Sequence, residues 1–427
     1  MNQRWHCLLF LVLIVFSRCA TAPKPVAVRA ITDLKPTVLL ISFDGFRWDY
    51  LEKFPTPNLH QLIQSGARAK ELIPIYPSVT FPNHYSIATG LYAEHHGIIA
   101  NEMWDPKLKE TFSLSDEKGA QKSVWWGGEP IWITATKQGQ IAAPLYWPGS
   151  TTEIEGLRPR FWKAYDRSFS DEDRVKQMLE WIDLPIAQRP TFLTLYFEDT
   201  DHAGHLYGPE SEQVKAAAAH VDELTGMIWK GLQDRGIADQ VNLIFVSDHG
   251  MAQVIPDQTI ALGKYFDVKS ARIIGAGAFS AIFPDHGEEA KILRALKRAH
   301  PHLHVYRKAE IPERFHYRNN IRIAPIFCMA DEGWYIVKDE GTKPTQNGTH
   351  GYDNLRPDMH GILIAHGPAF RHGYERLTIE NIHLYNMIAQ ILSLKPAPND
   401  GSRAAYQDMM QPVGHAAATP SESGAGR

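Results

Sequence analysis

Cysteine is nearly absent: there are three in 427 residues, and two of them, Cys7 and Cys19, lie in the first twenty. That leaves Cys328 alone in the body of the chain and excludes an intrachain disulfide there. A long apolar run is also missing. The one uninterrupted stretch, "CLLFLVLIVF", has ten residues, too few to span a bilayer. Nor is there a basic run of the kind that follows a nucleic-acid backbone, so no stable nucleic-acid partner is expected. Repeats are absent, and with 44% hydrophobic and 22% charged residues the composition is neither disordered nor fibrous.

The short apolar run follows Arg4 and precedes the small residues Ala20-Thr21-Ala22, which reads as an export signal over residues 1–22. "FSRC" before Ala20 is a weak lipoprotein-type signal, so soluble and lipid-anchored forms both stay open. Export without disulfides points to a bacterial periplasm rather than an animal cell surface. Removing residues 1–22 leaves 42 cations against 48 anions, a net charge of −6. An anionic substrate would then have to be neutralised by something other than surface lysines, and a metal centre is the candidate.

Three apolar runs end in acidic residues: "TVLLISFDG" at Asp44, "TFLTLYFEDTD" at Asp201, and "VNLIFVSDHG" at Asp248 and His249. They read as buried parallel strands. Helical patterns such as "TPNLHQLIQSG" and "SEQVKAAAAHVDELTGMIWKGLQDRG" lie between them, which predicts an α/β fold with a doubly wound, mostly parallel sheet. In such sheets ligands bind beyond the carboxyl ends of the strands, where these acids collect. After a linker over 23–36, the catalytic domain is expected over 37–394, with an inserted α+β subdomain at about 262–341. The main sheet resumes at "GILIAHGPAF", and residues 395–427 read as a mobile tail.

Asp44, Asp201, His205, Asp248, His249 and His350 are six oxygen and nitrogen donors with no thiolate, a set that suits catalytic zinc. Six are too many for one tetrahedral ion and suit two sharing a site. Thr80 opens the helical pattern "TFPNHYSIATG". A threonine there is ordinarily an N-cap, but a metal would make its hydroxyl a nucleophile, and a helix N-terminus would favour a phosphate oxygen.

In order along the chain, "SFDGFRWDYL", "TFPNHYSIATGLYAEHHGIIAN", "DTDHAGHLYGP", "VSDHGM" and "THGYDN" resemble the nucleotide pyrophosphatase/phosphodiesterase family of the alkaline phosphatase superfamily, from about Thr37 to Leu394. The resemblance implies two zinc ions, one held by Asp44, Thr80, Asp248 and His249 and the other by Asp201, His205 and His350. It implies that Thr80 is the nucleophile and forms a covalent phospho-threonine, with nucleoside 5′-monophosphates as products. The Asn101 amide and the Thr80 backbone N–H would hold a non-bridging phosphate oxygen. Phe81, Tyr165 and Tyr196 would lie beside the nucleoside, with Phe81 and Tyr165 stacking on the base.

His360 in "DMHG" is a rival to His350 by spacing, and "HGYDN" favours His350. Trp125, Trp126 and Trp132 read as core. Animal members of the nucleotide-hydrolysing branch carry disulfide-rich modules that this cysteine-poor sequence does not contain, so no protein partner is inferred. Two rivals stand beside the nucleotide reading: a choline-headgroup phosphodiesterase on the same scaffold, and a catalytically silent binding protein. A sulfatase is excluded because Thr80 cannot become formylglycine. A phosphomonoesterase would want arginine where Asn101 leaves room for an esterified oxygen.

Overall fold

The structure, a computed structural model, describes residues 30–412. The expected signal segment, the first part of the linker and the last part of the tail lie outside the described residues. Among those described, no helix is long and apolar enough to cross a membrane.

The main sheet has seven strands: β1 (Thr37–Phe43), β2 (Ala67–Ile73), β3 (Ala142–Pro144), β4 (Phe192–Phe197), β5 (Val241–Val246) and, after the inserted strands described below, β10 (Gly361–His366) and β11 (Tyr374–Glu380). Their order is β11-β2-β10-β5-β1-β4-β3. β1 sits at the middle of the parallel part, hydrogen-bonded to β4 on one side and β5 on the other. Only β10, the strand in which the sheet resumes, runs against its neighbours on both sides. A near-continuous apolar run is what a strand covered on both faces requires. Successive residues of β1 alternate between two cores: Val38 and Leu40 go to one, Leu39, Ile41 and Phe43 to the other.

On one face lies α2 (Thr80–Thr89); on the other lie α1 (Pro57–Ser65), α3 (Asp171–Ile182) and α5 (Glu212–Asp234). α4 (Asp199–Tyr207) follows β4 after a single residue. The ends of these helices are written locally. Pro57 starts α1 where its missing N–H is harmless. The Ser170 and Ser211 hydroxyls cap α3 and α5 by accepting from the N–H groups of Asp173 and Val214.

Between β5 and β10 the chain builds a four-stranded antiparallel sheet from β6 (Ala271–Ile274), β7 (Phe279–Pro284), β8 (Leu303–Arg307) and β9 (Ile326–Ala330), with α6 (Glu289–Leu296) against it. "EGWYIVKD" does form a strand, Tyr335–Val337, but it pairs in parallel with Thr259–Ala261 and not with this sheet. Cys328 lies in β9, and burial pushes its thiol up to about 12, so it behaves as a small apolar side chain.

The chain beyond Lys395 departs from the expected mobile tail as far as Pro412. Tyr406, Met409 and Met410 are buried in the core under α7 (Leu384–Ile391), and the Tyr406 hydroxyl donates to Gln390 at 3.2 Å. Apolar residues spaced too sparsely to show a period carry this segment, so composition alone reads it as loop. Met409→Ala should therefore lower stability by about 2–5 kcal/mol, measured as a shifted urea midpoint at unchanged slope. A mobile tail would show no shift.

Candidate active site

Each acidic run reaches the same end of the sheet. Asp44 follows β1, and its N–H donates to Phe197 O at 2.9 Å, which ties the ends of β1 and β4 together. Gly45, at φ +65°, donates its N–H to Asp248 Oδ1 at 3.2 Å; a Cβ there would stand 2.8 Å from the Asp201 Cα. Asp248 and His249 follow β5. Asp201 and His205 lie on α4, one turn apart and facing the same way. His350 follows Gly348–Thr349, which pairs with Ala252–Gln253 just past His249.

The hydrogen bonds fix the histidine tautomers. His205 Nδ1 donates to Gly348 O at 2.8 Å, His249 Nδ1 to Gly250 O at 2.9 Å and His350 Nδ1 to Ser78 O at 2.9 Å. All three Nε2 atoms are thereby left with lone pairs. They point at acceptors: His205 Nε2 lies 3.1 Å from His350 Nε2 and 3.3 Å from Asp201 Oδ1, while His249 Nε2 lies 3.0 Å from Asp248 Oδ2 and 3.4 Å from Asp44 Oδ1. Asp44 Oδ1, Asp201 Oδ1 and Asp248 Oδ2 are buried without a hydrogen-bond partner.

Buried groups of this kind need a donor or a cation. The donor atoms fall into overlapping sets, Asp201–His205–His350 and Asp44–Asp201–His249, each within 4.8 Å. Imidazole with carboxylate at that spacing fits a divalent metal. The charges agree with this. Burial and the Asp248 and Asp201 carboxylates push Asp44 well up, and burial drives His350 well down, keeping it neutral. Burial opposes charge on Asp248 and His249 and is the largest single influence on each, but the partners together exceed it: His249 and His84 hold Asp248 well below the carboxylate range, and Asp248 with Asp201 raises His249. A proton on His249 Nε2 and a metal would compete for one lone pair.

Thr80 is the first residue of α2 rather than its N-cap, which is Val79. Its hydroxyl lies 3.3 Å from His249 Nε2. The next N–H along, that of Phe81, donates to Asn101 Oδ1 at 2.8 Å; Pro82 has none; and Asn83 N–H bonds back to Val79 O. The Thr80 N–H is thus the one the first turn leaves for a ligand. Because Asn101 Oδ1 is committed, its side chain has the Nδ2 donor to offer.

A cleft of about 580 Å³ opens over these groups, and Phe81, Asn101, Tyr165 and Tyr196 all line it with Thr80. Tyr196 contributes in a way its sequence position does not show: its hydroxyl donates to Asp44 Oδ2 at 2.6 Å, so it orients a ligating carboxylate. Tyr165 is half-exposed, with its hydroxyl on Glu198. Trp126, expected in the core, is buried but also forms cleft wall beside Phe81, with ring centroids 6.2 Å apart. His360 is outside the site, satisfied by Glu71 Oε2 at 2.7 Å and Asn354 O at 3.1 Å.

One residue escapes the sequence reading. His84, wholly buried, lies with Nδ1 2.9 Å from Thr80 O and 3.3 Å from Asp248 Oδ2, and Nε2 2.8 Å from Ser42 Oγ. Its position four residues after Thr80, on the same helix face, is the signal that would have found it.

Residues 38–353 match the family described as type I phosphodiesterase / nucleotide pyrophosphatase. A venom phosphodiesterase of Crotalus durissus collilineatus is 40% identical over 384 residues, which are 88% of this chain and 46% of that protein. The chain thus spans about half the length of the venom phosphodiesterases it matches. Ectonucleotide pyrophosphatase/phosphodiesterase family member 5 of Homo sapiens is 39% identical over 374 residues, 87% of this chain and 78% of that protein. The solved structure of murine member 5 superposes with a TM-score of 0.85 at 39% identity, covering 88% of this chain and all of that one. An inactive threonine-to-alanine variant of the murine protein has been solved in complex with AMP at the same TM-score.

The lone-pair cluster should bind Zn²⁺ tightly, and Asp248→Asn should weaken binding by more than about tenfold while Asp171→Asn does not. Because the His249 pKa is raised, its proton competes from above the ordinary histidine value of 6.5 downward, so affinity should fall as pH falls through that raised value. Titration against a chelator at several pH values measures this. A pH-independent affinity would remove His249 from the ligand set.

Proposed function

Because the chain belongs to the type I phosphodiesterase / nucleotide pyrophosphatase family, we propose that it is an exported, zinc-dependent hydrolase of nucleotide phosphodiester and pyrophosphate bonds. The observation that carries the reading is the Thr80 hydroxyl, set at a helix N-terminus against a buried cluster of carboxylates and lone-pair imidazoles. Asp44, Thr80, Asp248 and His249 would hold one zinc ion, and Asp201, His205 and His350 the other. Such a pair lowers the pKa of a coordinated hydroxyl and neutralises charge on the leaving oxygen of an in-line displacement.

The protein's own groups then do the rest. Thr80 Oγ1 attacks phosphorus, the ester or anhydride oxygen opposite departs, and a phospho-threonine remains. Water hydrolyses it and frees a nucleoside 5′-monophosphate. The Thr80 N–H and Asn101 Nδ2 receive a non-bridging oxygen, in the manner of an oxyanion hole. Asn101 is neutral and fixed by the Phe81 N–H, which suits an esterified, singly charged phosphate. Phe81 and Tyr165 give the base an aromatic platform. Tyr196 and His84 hold Asp44 and Asp248 from behind.

The AMP complex of the murine relative supports a nucleotide in this cleft, and its inactive threonine-to-alanine variant supports a threonine nucleophile. A choline headgroup is held by aromatic faces and favoured further by an uncompensated acid beside them. Glu198 stands beside Tyr165, but its carboxylate is held by Arg174 at 2.9 Å and by the Tyr165 hydroxyl.

Thr80→Ala should lower turnover of a dinucleotide by about a thousandfold or more with fold and zinc content kept, and Thr80→Ser should retain part of it. Retention of more than about a tenth by the alanine variant would transfer the attack to water. Phe81→Ala or Tyr165→Ala should lower kcat/KM for nucleotide diesters roughly ten- to a hundredfold and spare a chromogenic diester with no base. Equal losses on both, or a preference for glycerophosphocholine, would favour the headgroup reading.

A further inference from the structure

One wall of the cleft is an irregular segment, residues 114–126, which contributes Leu114, Glu117, Gln121 and Trp126 to the lining. It holds one short helix, Glu117–Ala120, and a single 3₁₀ turn, Ser123–Trp125. Its indoles tie it to itself: Trp125 Nε1 donates to Gly119 O at 3.1 Å and Trp126 Nε1 to Ala120 O at 2.7 Å. The same rings pack outward, Trp126 against Phe81 and Tyr85 of α2 and Trp125 against Phe112, so apolar contact seats the segment on the core while these bonds shape it.

A polar anchor for the wall's backbone comes from about two hundred residues away. Arg322 leaves the inserted region just before β9 and enters the main domain behind the wall. Its Nη1 donates to Trp125 O at 2.8 Å and to Gly97 O at 2.7 Å, Nη2 to Val124 O at 2.9 Å, and Nε to Asp105 Oδ2 at 2.9 Å. The guanidinium lies 5.0 Å over the Trp125 ring. The side chain is 10% exposed and that of Asp105 6%, so this is a buried ion pair in which four of the five guanidinium N–H groups are bonded. Gly97 makes room for it: at φ +84°, a Cβ there would lie 2.9 Å from Nη1.

Neighbours of Arg322 bind the same region. Tyr317 OH donates to Ile99 O at 3.0 Å, and the N–H groups of Arg318 and Asn319 donate to Glu94 Oε2 at 2.6 and 2.7 Å. They hold residues 94–99. The bonds to Val124 and Trp125, next to Trp126, belong to Arg322 alone among these.

We propose that Arg322 is a positioning residue that sets substrate specificity, clamping the 114–126 wall so that Trp126 and its neighbours meet the nucleoside while the metal and nucleophile groups stay untouched. The planar fork serves three carbonyls and a carboxylate at once, which a lysine ammonium cannot reproduce. Without it the wall keeps its internal bonds and apolar packing but its backbone at Val124 and Trp125 loses its anchor, and the part of the substrate that feels the change is the part that touches the wall.

The inference rests on the nucleotide reading of the cleft, and the experiment separates the two. Arg322→Lys keeps the charge beside Asp105 and serves where Arg322→Gln does not fold. With zinc-loaded enzyme, kcat/KM for the p-nitrophenyl ester of thymidine 5′-monophosphate should fall about tenfold, mainly through KM. Bis(p-nitrophenyl) phosphate should change less than about threefold, and zinc content should not change. AMP binding by calorimetry should weaken in parallel, and deuterium exchange should quicken over 114–126 but not over α5. Equal losses on the two esters, unchanged AMP affinity, or unchanged exchange over 114–126 would overturn the clamp and leave the catalytic reading standing. Weakened AMP binding with faster exchange, in an enzyme that turns over neither ester, would uphold the clamp and overturn the catalytic reading.

Discussion

Three buried carboxylates and three imidazole lone pairs are held against one another at the carboxyl ends of β1, β4 and β5, and their mutual repulsion is the constraint the rest of the structure answers to. Two like charges 4 Å apart repel by about 4 kcal/mol at an effective dielectric of 20. Within the cluster Asp248 and His249 favour each other's charge, and the remaining groups are held against one another by packing. β1 is buried on both faces, its register locked to β4 and β5, and the acids begin where its apolar run stops. Gly45 then lets the end of β1 meet Asp201 where a side chain would separate them. A site that repels itself when empty of cations is one that gains most by binding them, and so affinity is built into the fold.

The same constraint explains what surrounds the cluster. Every ligating histidine gives its Nδ1 proton to a backbone carbonyl, which fixes the lone pair inward. Tyr196 does the equivalent for Asp44, and His84 connects Asp248 to the carbonyl of Thr80. Thr80, the proposed nucleophile, is therefore connected to Asp248 through the first turn of its own helix. Thr80 stands at N1 rather than at the cap, and Asn101 and Pro82 between them consume the adjacent donors, which leaves one N–H for the oxygen of a ligand.

The strand-end acids and the strand–helix alternation were legible because a doubly covered parallel strand leaves an apolar run with a sharp polar end. Strand direction was not: "GILIAHGPAF" reads the same whether it runs with β5 or against it, and it runs against. Second contacts were not legible either. Tyr196 alternates inward along β4 like any core aromatic, and only its 2.6 Å bond to Asp44 distinguishes it. His350 and His360 were separable by motif alone, whereas in the structure a carboxylate and a carbonyl occupy both nitrogens of His360. Residues 395–412 were misread because tail-like composition says nothing of three side chains that fill one gap beneath α7.

Catalysis and recognition end up on different mechanical footings. Thr80 and the proposed metal-holding groups hang from β1, β4, β5 and α2, elements whose positions are set by two cores that share the sheet. The aromatic wall is an irregular segment that reaches one of these cores through Ala120, Trp125 and Trp126, with ring centroids 4.9 Å apart for Tyr85 and Trp126 and 5.6 Å for Phe112 and Trp125. Its one turn of α-helix and one of 3₁₀ are too short to be stable by themselves, and its tryptophans bond within it. Such a wall can vary in sequence without disturbing the chemistry, provided one strong anchor holds its base. A buried guanidinium paired with Asp105 is an anchor of that kind, since breaking it strands a charge in a place water does not reach. It follows that what this cleft accepts is more easily altered by changes in the wall than by changes in the carboxylate and imidazole cluster beneath it.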